Sequence, residues 1–100
     1  MASEYINFFR NVDGIEFFTE PEDTFSNYWL SAVVMTDKQA QLDFLQQTND
    51  NGVMTRPIWE LMNRLPMFDS CETDGLENTI WFADRVVNIP SSVRPADLPQ

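Results

Sequence analysis

The chain has 100 residues, 43% hydrophobic and 13% aromatic, which excludes intrinsic disorder and suffices for one domain with one core. Sixteen Asp and Glu stand against one Lys and five Arg, and the net charge of −10 disfavours binding to nucleic-acid phosphates or to an anionic membrane surface. The carboxylates are scattered rather than set in rows, so they read as a solubilising surface and not as a DNA mimic.

In chain order, residues 3–10 predict a helix with Ser3 as N-cap and a broad apolar face of Tyr5, Ile6, Phe8 and Phe9. Asn11-Val12-Asp13-Gly14 is a turn, and residues 15–18 form a short strand at a sheet edge. A loop through Glu20-Pro21-Glu22-Asp23 leads to residues 28–35, apolar and β-prone throughout, which predict a central strand covered on both faces. Thr36 and Gln39 form a capping box for a helix over 37–49, and Gly52 supplies its C′ stop. The chain is extended again from Val53, and Pro57 keeps Arg56 out of helical geometry. Strand, helix and parallel strand make a βαβ-like unit, the nucleus on which the rest is placed.

Beyond Pro57, residues 58–65 predict a helix with Ile58, Leu61, Met62 and Leu65 on one face, ended by Pro66. Met67-Phe68 is an apolar tether to the polar loop 69–75, which holds Cys71. The next helix spans 77–87, with Leu76, Ile80, Ala83 and Val87 facing inward and Trp81 on its flank. Residues 86–92 are an apolar exit into a loop. The domain is residues 1–95, and the Pro-rich end, 96–100, is a frayed tail. The fold class is α+β: a small mixed sheet of three or four strands, with helices packed mainly on one face.

The sequence contains no histidine, which removes the commonest general base and metal ligand. One cysteine allows neither an intrachain disulfide nor a zinc site, and its acidic neighbours argue against a nucleophile. Neither a dinucleotide fingerprint nor a P-loop is present. Lys38, the only lysine, falls in the first turn of a capped helix beside Asp37, a solvated place unlike the apolar pocket of a Schiff-base lysine. No catalytic residue, cofactor ligand or metal ligand is therefore assigned. A secretory leader and a membrane-length apolar run are both missing from the sequence, so it reads as cytoplasmic and soluble.

The runs Asn27-Tyr28-Trp29-Leu30, Gly52-Val53-Met54-Thr55-Arg56-Pro57-Ile58-Trp59, Asn78-Thr79 and Asn88-Ile89-Pro90-Ser91 resemble the C-terminal end of the DegT–DnrJ–StrS family. These are pyridoxal-phosphate (PLP) sugar aminotransferases, and the branch most resembled aminates UDP-4-keto-6-deoxy-N-acetyl sugars. The resemblance covers about residues 4–95. It implies a C-terminal small domain detached from the large domain that carries PLP and its lysine, through a truncated or mobile reading frame or as an expressed fragment. Such a chain is not catalytic alone and holds no cofactor. Its substrate-side positions are Trp29, Arg56 and Trp59. Packing favours Trp29 as a core ring over a cleft relic. Arg56 is balanced between cleft and structural ion pair, with Glu60 as local partner. Trp59 is either a core ring or an exposed platform. The competing function class is an independent binding module. The partners expected are a second copy, meeting through Tyr5, Phe8, Phe9, Phe17, Phe18 and Trp81, and a separate large domain.

Overall fold

The computed structural model describes residues 1–92. Its elements are α1 (Ala2–Phe9), β1 (Ile15–Phe17), β2 (Ser31–Met35), α2 (Lys38–Asp50), β3 (Arg56–Pro57), α3 (Glu77–Ala83) and β4 (Val86–Ile89), with 3-10 turns at Met62–Arg64 and Pro66–Phe68. The four strands form one sheet in the order β1-β2-β4-β3, and every neighbouring pair is antiparallel. The fold is α+β. The tail 96–100 lies outside the described residues.

The mixed sheet is not formed, and the reason is β4. Residues 86–89 continue the helical spacing of Ile80 and Ala83, so the sequence reads as helix to Val87. The helix stops at Ala83, and Val86, Val87 and Ile89 enter the sheet as its second central strand. Three β-branched residues in four suit a pleated, buried site better than a helix end. The Arg85 guanidinium helps hold the stop. It lies 4.4 Å from the Trp81 ring centre and donates to the Trp81 and Thr36 carbonyls at 3.1 and 3.2 Å. β2 and β3 do run in the same direction, as a strand–helix–strand crossover requires, but β4 separates them.

Val33 and Val87 pair across the β2–β4 ladder and have no exposed surface. Phe17, Met35 and Ile89 complete the buried cluster on that face, against Tyr5, Ile6 and Phe9 of α1 and Ala40, Phe44 and Leu45 of α2. Burying one such aliphatic side chain contributes about 1.5–3 kcal/mol. Phe17 stacks with Tyr5, and the Tyr5 hydroxyl donates to the Pro90 carbonyl at 2.7 Å, which ties α1 to the end of β4. The other face is covered less completely. There Phe18 meets Phe82 of α3 edge-on.

Three local expectations are corrected. The N-cap of α2 is Asp37, one residue beyond Thr36: its carboxylate accepts from the Ala40 N–H at 2.8 Å, and Gln39 bonds Asp43 instead of closing a box. α1 starts at Ala2, capped by Met1 without a side-chain bond, so Ser3 is not its cap. Residues 58–65 do not form a helix; only the 3-10 turn over Met62–Arg64 appears. The stop at Gly52 is as expected. With φ of 82° it forms a Schellman motif, its N–H bonding Asn49 O and that of Val53 bonding Thr48 O at 2.8 Å.

Among the described residues, no helix is long and apolar enough to cross a membrane. One buried polar side chain joins the layers. Gln41 of α2 is 2% exposed and donates to the carbonyls of Ala83 and Val86, each at 2.9 Å, where α3 turns into β4. Gln41→Leu keeps the volume and removes both bonds. It is expected to cost about 1–3 kcal/mol in urea denaturation, with an unchanged far-ultraviolet spectrum.

Candidate functional site

Trp29 and Arg56 come together through the sheet. Ser31 pairs with Ile89 at one end of the β2–β4 ladder, and Arg56 pairs with Asn88 on the far side of β4. The residue preceding β2 by two and the first residue of β3 therefore flank the same end of β4. Between them lies an open groove of about 530 Å³, lined by Trp29, Leu30, Met54, Arg56, Asn88 and the 89–92 exit.

The chain entering β2 is built to turn Trp29 outward. Residues 28–30 are not strand, contrary to the expected span 28–35. Tyr28 is held at φ of 50°, in the left-handed region where side-chain residues are strained by about 1–3 kcal/mol. Its N–H bonds the Ser26 hydroxyl at 3.0 Å, and that of Trp29 bonds Asn27 Oδ1 at 3.0 Å. These local side-chain bonds replace the ladder bonds a longer strand would have made. Tyr28 takes the inward place, its ring centre 6.0 Å from that of Phe17. The Tyr28 phenol is held above the ordinary tyrosine range, chiefly by hydrogen bonding with Glu20 and then by burial. Trp29 is 74% exposed and is not a core ring.

Arg56 is exposed, and its Nη1 donates to Thr55 O at 3.0 Å and Asn49 Oδ1 at 3.3 Å. Glu60 is not its partner, because that carboxylate lies 3.7 Å from Arg64 and accepts the Leu61 N–H. Among the described residues, Arg56 is the only charged side chain lining the groove. Its remaining donors, the open indole face of Trp29 and the Ser92 hydroxyl suit a flat ring with an attached anion, while the Ser91 hydroxyl is already bonded to Ile89 O and Ser31 N–H. They do not make an acid–base pair or a nucleophile. Trp59, 71% exposed, does not line this groove and stands on the irregular segment after Pro57.

The position of β3 rests on Thr55, which is 1% exposed. Its hydroxyl shares a 2.6 Å hydrogen bond with that of Thr48, and the Asn49 side-chain amide donates to both its hydroxyl and its carbonyl. The end of α2 thus sets where Arg56 begins. Sequence reading passed over Thr55, and its one signal is a polar β-branched residue next to a helix stop.

The residues present do not fit PLP. Lys38 has a 58% exposed side chain and lies 3.7 Å from Asp84 Oδ1, with the Asp37 cap beside it. That exposed, ion-paired setting is not the apolar pocket that an imine-forming lysine needs. Among the described residues, no group of three or more His, Cys, Asp or Glu is arranged to hold a metal ion.

The sequence model of the DegT/DnrJ/EryC1/StrS aminotransferase family matches residues 1–97. A putative pyridoxal phosphate-dependent aminotransferase, EpsN of Bacillus subtilis (strain 168), is 27% identical over 67 residues, 67% of this chain and 17% of EpsN. Two solved structures share the fold across 96% of the chain. They are the aminotransferase TlmJ from Streptoalloteichus hindustanus (TM-score 0.78, 19% identity) and the sugar aminotransferase CalS13 from Micromonospora echinospora (TM-score 0.67, 23% identity). The chain spans 26% of the first and 27% of the second.

Arg56 and its neighbour should separate cleanly on mutation. Arg56→Ala removes an exposed side chain and is expected to change stability by no more than about 0.5 kcal/mol. Thr55→Val removes the buried hydroxyl that bonds Thr48 and Asn49 and is expected to cost about 1–3 kcal/mol. Paired urea titrations measure both. A loss of several kcal/mol in Arg56→Ala would make it a structural member instead of a groove residue.

Proposed function

Because the chain belongs to the DegT/DnrJ/EryC1/StrS aminotransferase family, we propose that it is the C-terminal small domain of a PLP-dependent sugar aminotransferase and supplies one wall of the substrate cleft. It has no transaminase activity by itself, since the cofactor and its lysine belong to a large domain, in the same or a separate polypeptide. The observation that carries this reading is the groove of Trp29 and Arg56, which offers a ring platform beside a guanidinium and no reacting group. A nucleotide-sugar presents a flat base and a diphosphate, the two features such a wall can hold. We place the substrate among the UDP-4-keto-6-deoxy-N-acetyl sugars, on the strength of the Asn27–Leu30 and Gly52–Trp59 runs. An exposed free thiol at Cys71 suits the reducing cytoplasm.

One wall buries little of a ligand. UDP-N-acetylglucosamine, a stable stand-in for the keto sugar, is expected to bind the chain at roughly millimolar or weaker, with groove resonances shifting in a nuclear magnetic resonance (NMR) titration. Arg56→Ala should abolish those shifts. Micromolar binding lost in Arg56→Ala would instead favour an independent binding module. Added PLP should give no saturable Schiff-base absorbance; such a signal, lost in Lys38→Ala, would overturn the non-catalytic reading.

Self-association follows from what the core leaves uncovered. Phe17, Tyr5 and Phe9 are taken by the core cluster, whereas Phe8 (66% exposed), Phe18 and Trp81 remain open. Apolar surface of this kind commonly marks a contact, and a twofold pairing is the simplest arrangement. Light scattering at ~0.1 mM is expected to give a dimer, and Phe8→Ser should weaken it; a monomer at that concentration would contradict it.

A further inference from the structure

Asn88 stands where a strand residue of its kind is uncommon. It lies on β4, one of the two inner strands, among Val86, Val87 and Ile89. Asparagine is depleted from strands, because its amide competes with the backbone and packs poorly on a pleated face. Here the side chain is half-buried and lines the groove of Trp29 and Arg56. Among the described residues its amide makes no hydrogen bond, yet it is not sealed beneath other atoms. A polar group in such a place ordinarily has a partner.

Its neighbours across the sheet leave the groove side open. Arg56 on β3 and Ala32 on β2 are its partners to either side, and residues so paired share a face with Cβ atoms about 5 Å apart. Ala32 carries only a methyl group and leaves room above the amide. Arg56 sets a guanidinium beside it, anchored through Nη1 on Thr55 O and Asn49 Oδ1. The groove therefore presents an amide, which can both donate and accept, next to a fixed cation.

We propose that Asn88 reads the acetamido group of a 2-acetamido sugar: its Nδ2 donates to the acetyl carbonyl, and its Oδ1 accepts the acetamido N–H. This rests on the nucleotide-sugar reading of the groove. In a UDP-linked sugar of that class, the acetamido group on C2 and the diphosphate on C1 are carried by adjacent carbons, as Asn88 and Arg56 are adjacent across the sheet. A 2-hydroxyl is shorter and meets one end of the amide at a time. A site built to pair both ends rejects such an analogue, because its own amide is then left short of a partner. Asn88 thus selects the sugar, whereas Trp29 and Arg56 take the base and the diphosphate.

UDP-N-acetylglucosamine and UDP-glucose test this in ¹H–¹⁵N NMR titrations of the full chain, since they share base and diphosphate and differ at C2. The acetamido sugar is expected to bind about fivefold to tenfold more tightly, the effect of one additional hydrogen-bonded pair. The Asn88 side-chain amide should shift with it and not with UDP-glucose. Asn88→Thr removes the amide and puts a good strand former in its place, and Asn88→Ala removes it without adding a hydroxyl. In both variants the preference should vanish while the affinity for UDP-glucose is unchanged, and Arg56→Ala should abolish binding of both sugars. Equal binding of the two sugars by the unaltered chain would overturn the assignment of Asn88 and leave the groove reading standing. So would a loss in both Asn88 variants that falls equally on the two sugars, the mark of a structural role. Groove resonances that respond to neither sugar would overturn both readings.

Discussion

Val33 and Val87 face one another across the β2–β4 ladder with no exposed surface, and the other elements take their places from that pair. β4 enters the sheet between two strands that a single helix connects. This forces β3 to the outer edge, where a two-residue strand with a proline is well suited, since the missing N–H costs no ladder bond on the open side. β1 closes the opposite edge with three residues. Both edges are short, which limits edge-to-edge aggregation.

Apolar burial alone would not set the helices in register with the strands. Gln41 spans from α2 to the turn that starts β4, and Thr55 joins the end of α2 to the start of β3. Both are almost fully buried; the Gln41 amide nitrogen makes two bonds, and the Thr55 hydroxyl and carbonyl are both bonded. A buried polar group is tolerated only where its partners are in place, so each bond constrains geometry more than a methyl contact would. The Schellman motif at Gly52 turns the chain back so that Thr55 can reach Thr48 and Asn49.

The same framework accounts for where charge and rings are left open. Tyr28 fills the inward place beside Phe17, and the next residue, Trp29, is turned to solvent. Arg56 emerges where Thr55 has been fixed, and among the described residues it is the one charged group of its groove on an acidic chain.

Much of this organisation was present in local sequence. The apolar run through Val33, the helix over 37–49 and the glycine at position 52 are read from neighbours within a few residues, where propensity and capping act. The absence of histidine and the single lysine limited the chemistry before any fold was known. The family resemblance singled out Trp29, Arg56 and Trp59, but not that the first two share a groove while Trp59 stands apart. Val86 to Ile89 shows why: its spacing fits the end of a helix, and only the vacancy beside β2 makes a strand the better state. Residues 58–65 show the converse, an amphipathic pattern between two prolines with no surface to pack a helix against. Sequence by itself determined the composition of the core, the local stops and the chemistry that is possible. Tertiary structure alone decided strand order and which distant side chains meet, because those depend on burial shared between segments far apart in the chain.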